Sequence, residues 1–144
     1  MKRLIQETTI SRRGLLAGAA GVALALRSPS AWASDEMKQV AFGLDKAEKL
    51  KEIGGSASLK LMGRTVFFVR DSEKTVRAFD PACTHNKCNV AYTAEEKLLR
   101  CPCHGSSFFL DGKVHRGPAA RPLTVFSTKL EGDRVIISLP QKNE

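Results

Sequence analysis

The chain has 144 residues and a formal net charge of +8 at pH 7, with 42% hydrophobic and 26% charged residues. That length favours a single domain, and this ordinary composition excludes a disordered, fibrous or coiled-coil protein. The charges are interspersed and form no basic stripe, so the sequence gives no indication of nucleic-acid binding.

Residues 1–33 have the layout of an export signal: a basic start, an apolar run over 15–26 and the tripeptide AWA at 31–33. A twin arginine, Arg12-Arg13, precedes the apolar run and indicates the Tat route to the periplasm. The run is shorter than the roughly 20 apolar residues that a membrane span needs. We therefore expect cleavage after Ala33, the alternative being a retained membrane anchor. Cleavage would leave 18 basic and 14 acidic residues, a net charge of +4.

Residues 34–144 are predicted to form one all-β domain. Residues 44–53 have apolar positions at helical spacing, which fits either a short helix or a strand followed by a turn. Beyond them come short runs rich in β-branched and aromatic residues, with turn signals between them and a hairpin signal at 131–133. This pattern predicts an antiparallel sandwich or small barrel. The runs are LKLM, TVFFVR, TVRAF, KLLR, SFFL, KVH, TVFSTKL and RVIISL.

All four cysteines and two of the three histidines lie in two segments between predicted strands, CTHNKC at 83–88 and CPCH at 101–104. Four chemistries compete for them. Two disulfides suit an exported protein but leave the histidines unexplained. A zinc site would use two of the cysteines, although the spacing is not that of a zinc finger. A catalytic cysteine has no evident partner, whereas an iron–sulfur centre with two Cys and two His ligands accounts for most of the residues.

The segments CTH and CPCHGS resemble the two cluster-binding boxes of the Rieske iron–sulfur family, and GKVHRGPA resembles its glycine-proline loop. The resemblance implies a Rieske-type β-fold with two binding loops at one end, holding one [2Fe–2S] cluster. It implies thiolate ligands from Cys83 and Cys101 and imidazole ligands from His85 and His104. Cys88 and Cys103 match the disulfide of the bc-type branch of that family.

Two further residues are expected to tune the cluster. In relatives, the serine at the position of Ser106 donates a hydrogen bond to a bridging sulfide, and Phe108 stands where high-potential members carry a tyrosine. A phenylalanine cannot donate, so we predict a lower potential than in the tyrosine-bearing members. His115 has no ligand spacing, and it is interpreted either as a surface histidine or as a proton relay.

The resemblance and the export signal together predict an exported one-electron carrier that is not catalytic alone. Its partner would be a c-type cytochrome or a larger oxidoreductase subunit. Asn86 and Lys87 are predicted at the docking tip, where bc-type members usually have an apolar residue that enters a quinol pocket. The alternatives are a membrane-anchored subunit of a quinol-oxidising bc-type complex and a disulfide-stapled binding module without iron.

Overall fold

The computed structural model describes residues 37–141. The predicted export signal at 1–33 therefore lies outside the described residues. Two short 3₁₀ helices occupy Leu44–Lys46 and Glu48–Lys51, which answers the open question at 44–53 in favour of helical turns. No helix among the described residues has the length and apolar character needed to cross a membrane.

The rest of the described chain is built from eleven short strands in three antiparallel sheets. The strands are β1 (Met37–Gly43), β2 (Ser56–Leu61), β3 (Arg64–Ser72), β4 (Thr75–Phe79), β5 (Ala91–Thr93), β6 (Leu98–Arg100), β7 (Ser107–Phe108), β8 (Val114–Arg116), β9 (Val125–Phe126), β10 (Thr128–Glu131) and β11 (Arg134–Pro140). The terminal sheet has the order β1-β11-β10, the central sheet β2-β3-β4-β9 and the short-strand sheet β5-β6-β7-β8. The predicted all-β fold class is confirmed.

The central sheet lies between two hydrophobic cores because the middle of β3 is apolar on both faces. Val66 and Phe68 pack into a first core with residues of the terminal sheet. Phe67 and Val69 point the other way into a second core, shared with the short-strand sheet. An uninterrupted apolar run is typical of a strand buried on both faces.

Most predicted strands form, with three differences. β1 was not predicted, because only Phe42 along it is buried and its sequence gives no alternating signal. β5, a strand of three residues, was also not predicted. The predicted break at 71–72 is instead a bulge within the β3–β4 pairing, and the chain turns at 73–74. The hairpin predicted at 131–133 joins β10 to β11, with Gly132 in the left-handed conformation at φ +56°.

The two Cys/His segments lie at strand ends next to the second core. The first follows β4, and the second connects β6 to β7. The strand pairing within the short-strand sheet holds the second segment at the end of two buried strands, β6 and β7. Both segments therefore lie beside the same core, which contains Cys83 and Cys101.

Candidate metal centre

The first Cys/His segment, loop 1 (residues 83–88), is a tight turn closed by two backbone hydrogen bonds. The amide of Cys83 donates to the carbonyl of Cys88 at 2.8 Å, and the amide of Lys87 donates to the carbonyl of Cys83 at 2.8 Å. The Cys83 side chain is fully buried, whereas the His85 side chain is exposed. The turn therefore directs its sulfur inward and its imidazole outward.

The second segment, loop 2 (residues 101–106), repeats this arrangement at the same spacing. The amide of Cys101 donates to the carbonyl of Ser106 at 2.7 Å, and the amide of Gly105 donates to the carbonyl of Cys101 at 3.1 Å. Cys101 is again buried and His104 exposed. The chain thus presents two similar turns, each with one inward thiol and one outward imidazole.

The fifth residue of each turn adopts the left-handed backbone conformation. In loop 2 it is Gly105, at φ +74°, which glycine adopts without a steric penalty. In loop 1 it is Lys87, at φ +59°. A residue with a Cβ atom pays about 1–2 kcal/mol for this conformation. Loop 1 therefore carries a backbone cost at its tip that loop 2 avoids.

A disulfide between Cys88 and Cys103 joins loop 1 to loop 2, with an S–S distance of 2.10 Å and a Cα–Cα distance of 6.4 Å. This is the pair that the family resemblance implied. The sulfurs of Cys88 and Cys103 also lie within 4.8 Å of the Cys101 sulfur. Both are committed to the disulfide, so this sulfur trio does not offer three thiolate ligands.

A third segment, loop 3 (residues 117–122), is tied to both turns. The Thr84 hydroxyl donates to the carbonyl of Arg121 at 2.6 Å, and the amide of Ala119 donates to the Ser106 hydroxyl at 3.0 Å. Loop 3 contains the glycine-proline run noticed in the sequence, but these two contacts carry no sequence signal, since their partners are 37 and 13 residues apart. The disulfide therefore joins loops 1 and 2, and a hydrogen bond joins loop 3 to each of them.

The thiols of Cys83 and Cys101 are the two free cysteines of the described residues, and both are buried. Burial alone would raise the pKa of Cys83, but hydrogen bonds from the backbone of His85 and Asn86 and from the side chains of Cys101 and Ser106 outweigh it and lower that pKa. The pocket therefore favours a thiolate, which is the form that binds iron.

The imidazoles of His85 and His104 lie next to each other. Their ring centroids are 4.9 Å apart and their planes are nearly perpendicular, at 81°. Both side chains are exposed. The four predicted ligands thus comprise an inner pair of sulfurs and an outer pair of nitrogens.

The two predicted tuning residues are buried beside the thiols. Ser106 is fully buried, and its oxygen accepts the Ala119 amide, which leaves its hydroxyl proton free to donate. Phe108 is also fully buried and packs in the second core with Cys83 and Cys101. Asn86 and Lys87, the predicted docking residues, are exposed at the tip of loop 1.

His115 lies on β8 rather than in a surface loop, and its ring is exposed. Its Nδ1 atom is 3.0 Å from the hydroxyl of Ser107, and its ring makes an edge contact with Phe109 at a centroid distance of 4.9 Å. The structure gives it contacts with residues next to loop 2, and none with the four predicted ligands.

Comparison with known proteins decides the family. A model described as the Rieske [2Fe–2S] domain matches residues 41–127, which is more than half of the chain. The chain belongs to the Rieske [2Fe–2S] family. The family recognised in the sequence is therefore confirmed.

The matched relatives include cytochrome b6-f complex iron-sulfur subunits. That of Synechococcus sp. (strain JA-3-3Ab) is 40% identical over 79 residues, covering 54% of this chain and 46% of the relative. Cytochrome b6-f complex iron-sulfur subunit 1 of Nostoc sp. (strain PCC 7120) is 35% identical over 80 residues, and the match covers 54% of this chain and 45% of the relative. The match thus extends over less than half the length of these curated relatives.

Solved structures with the same fold include the plasma membrane Rieske protein PetC3 of Synechocystis PCC 6803. It is 29% identical, has a TM-score of 0.55, and the match covers 68% of this chain and 97% of that one. A chain of a hyperthermophilic respiratory complex III is 26% identical with a TM-score of 0.51, covering 77% and 82%. The ferredoxin of a carbazole dioxygenase from Nocardioides aromaticivorans, at 22% identity and a TM-score of 0.57, covers 73% and 98% and shows only the common fold.

Family membership implies one [2Fe–2S] cluster, which confirms the cofactor expected from the sequence. The donor set of this chain fits that cluster. Two buried free thiols and two adjacent imidazoles are available at the meeting point of two turns, and this is the mixed ligand set of a Rieske centre.

Proposed function

We propose that this chain is an extracytoplasmic one-electron carrier with a Rieske cluster between loop 1 and loop 2. The observation that supports it most directly is the pair of matching turns, each with a buried free thiol and an exposed imidazole. A cluster in such a site accepts and releases a single electron.

In this proposal Cys83 and Cys101 bind one iron as thiolates, and His85 and His104 bind the other. Two thiolates balance the +2 charge of an oxidised core, where four would give a negative centre. A neutral centre accepts an electron more readily, which agrees with the raised potentials of Rieske proteins, from about −150 to +300 mV.

Two buried residues beside the thiols, Ser106 and Phe108, set the reduction potential within that range. Ser106 is free to donate its hydroxyl proton toward sulfur because its oxygen already accepts the Ala119 amide. Phe108 fills the core next to both thiols and offers no donor. Donated hydrogen bonds stabilise the more negative, reduced state, so this chain has one such bond fewer than tyrosine-bearing relatives.

The exposed imidazole edge is the port through which the electron leaves or enters. His85 and His104 share this edge, and Asn86 and Lys87 lie beside it at the tip of loop 1. These two residues contact the redox partner, which would be a c-type cytochrome or a larger oxidoreductase subunit.

The proposed location is the periplasm, through a Tat signal at residues 1–33. The supporting features are the twin arginine of the sequence and the Cys88–Cys103 disulfide, since such bridges persist in oxidising compartments.

A second candidate is the iron–sulfur subunit of a membrane-anchored, quinol-oxidising complex. The relatives that are cytochrome b6-f subunits and the complex III neighbour favour it. The tip of loop 1 favours the first candidate, the one-electron carrier. Asn86 and Lys87 are exposed and polar, and desolvating a lysine ammonium in an apolar quinol pocket costs free energy.

The test is an EPR spectrum of dithionite-reduced fractions from cells that express the full chain with its first 33 residues. A rhombic signal of low average g in the soluble periplasm supports the carrier, whereas the same signal only in membranes supports the anchored subunit. A Cys101→Ser variant serves as the control and should lose the signal. Zinc, or no metal, in the purified wild-type protein would overturn the proposal of a cluster and would favour the disulfide-stapled binding module.

A further inference from the structure

The three loops at the electron port contain cationic residues and no acidic ones. Loops 1, 2 and 3 contain Lys87 and Arg121 and not a single Asp or Glu. Both side chains are exposed, and neither forms an ion pair within the part of the chain that the structure describes. These two cations are therefore available to a partner.

Backbone contacts tie both cationic residues to the turn that carries His85. Lys87 lies two residues after His85 in the same closed turn, whose hydrogen bond joins the Lys87 amide to Cys83. The carbonyl of Arg121 accepts a hydrogen bond from Thr84, the residue before His85. Lys87 thus follows His85 in the chain, and the backbone of Arg121 contacts the residue that precedes His85.

Two of the acidic side chains nearest to the loops in the sequence, Glu96 and Asp111, are held in ion pairs. Asp80 accepts the amide of Ala82 at 3.0 Å, Glu96 accepts two hydrogen bonds from Arg100 at 2.6 Å, and Asp111 is 3.0 Å from the ammonium of Lys113. The hydrogen bonds from Arg100 lower the pKa of Glu96, so the Glu96 carboxylate stays ionised within its pair with Arg100. Loops 1, 2 and 3 themselves contain no acidic counter-charge for Lys87 and Arg121.

A third cation extends the positive surface along the short-strand sheet. Arg116 is exposed on β8 and pairs across the sheet with Ser107, the residue that follows loop 2. In the described part of the chain its side chain also forms no ion pair.

We infer that Lys87 and Arg121, extended by Arg116, form a cationic docking rim around the electron port, and that the partner presents an acidic protein surface to it. The inference rests on the proposed electron-transfer function and names the chemistry of the partner. Like-signed charges on a docking face steer an oppositely charged partner and raise its association rate, an effect that salt removes. The positive φ of Lys87 fits this role, because a backbone cost at a functional tip persists where the side chain is needed.

The experiment measures stopped-flow oxidation of the reduced, cluster-loaded protein by two small oxidants of opposite charge. Ferricyanide is a trivalent anion and tris(phenanthroline)cobalt(III) a trivalent cation. The rim predicts that rising salt slows the ferricyanide reaction and accelerates the cobalt reaction. An acidic and a basic c-type cytochrome, used as protein oxidants, should follow the same two trends.

Two variants remove the rim charges, and one matched control removes a distant charge. Lys87→Gly suits the left-handed backbone, so it deletes the charge without disturbing the turn, and Arg121→Gln keeps the backbone contact with Thr84. Each variant should slow oxidation by ferricyanide about three- to fivefold at low salt, because it removes one charge that acts on a trivalent ion at about 10 Å. The control is Lys74→Gln. Lys74 lies in the β3–β4 turn, at the far end of β4, roughly 16 Å along the strand from loop 1. The control variant should change the rate by less than about 1.5-fold.

The outcomes separate this inference from the proposed function. An EPR spectrum of each variant first reports whether the cluster is present, and its absence from the wild type overturns the proposed function itself. With the cluster present, equal salt dependence for the two oxidants would overturn the rim. An equal loss of rate in Lys74→Gln and Lys87→Gly would also overturn it, because net charge alone would then explain the effect.

Discussion

Removing the Cys88–Cys103 disulfide should lower the free energy of unfolding by about 3 kcal/mol. The bridge closes a loop with a sequence separation of 15 residues, and the loop-entropy relation gives about 3 kcal/mol for that length. A cavity adds little here, because Cys103 is exposed and Cys88 half-buried, so that serine replaces each sulfur without emptying a packed space. The double variant Cys88→Ser/Cys103→Ser therefore isolates the cross-link.

Urea unfolding of the cluster-loaded protein measures this effect, with far-UV circular dichroism and the visible absorption of the cluster followed together. With a urea slope of about 1.5–2 kcal/mol per molar, a loss of about 3 kcal/mol moves the midpoint down by roughly 1.5–2 M. Wild-type protein treated with a thiol reductant should move toward the variant, and the variant itself should not respond to reductant. A midpoint within about 0.3 M of wild type would refute the cross-link reasoning.

Four other predictions concern the residues that surround the ligands. Phe108→Tyr should raise the reduction potential by about 40 mV if the new hydroxyl gives the reduced state about 1 kcal/mol, and an unchanged potential in a redox titration would contradict this. Ser106→Ala should lower the potential and cost about 1–3 kcal/mol by leaving a buried loop 3 amide unpaired, whereas Ser107→Ala, the neighbouring control, should leave the potential unchanged. Gly105→Ala should destabilise the fold by about 1 kcal/mol, since the added Cβ meets nothing within 4 Å but the backbone is left-handed. Lys87→Gly should instead stabilise the fold by about 0.5–1 kcal/mol. If Gly105→Ala and Lys87→Gly shift the urea midpoint in the same direction, the backbone assignment is wrong.

The sequence predicts the parts of the fold in which local pattern and burial agree. TVFFVR and RVIISL become β3 and β11, because their apolar residues face one or both cores. β1 was missed because its partner β11 lies at the other end of the described chain, with Met37 opposite Pro140, and it has a single buried side chain. A strand that depends on distant pairing more than on its own burial leaves little trace in local sequence.

The candidate site divides in the same way. The Cys and His residues of each loop are close together in the sequence, so the resemblance to the Rieske boxes could predict four ligands and the Cys88–Cys103 pair, and the structure shows that disulfide. The contact from Thr84 to Arg121 spans 37 residues and requires the folded position of loop 3, so no pattern indicated it. The left-handed backbone of Lys87 was likewise invisible, because the sequence shows a lysine where a turn of this shape favours glycine.

The two matching turns separate the chemistry of the centre from the choice of partner. The inner half of the proposed site consists of the buried thiols with Ser106 and Phe108 beside them, and we expect it to set how strongly an electron is held. The outer half, formed by exposed imidazoles and the tip of loop 1, contacts whatever approaches. Because the hydrogen bonds that close loop 1 use only backbone atoms, the side chains of Asn86 and Lys87 can change without altering the turn's bonding. The polar, positive tip of this chain is thus compatible with an unaltered Rieske centre, and the inner and outer variants should move different observables: the potential for the first, the salt dependence of the rate for the second.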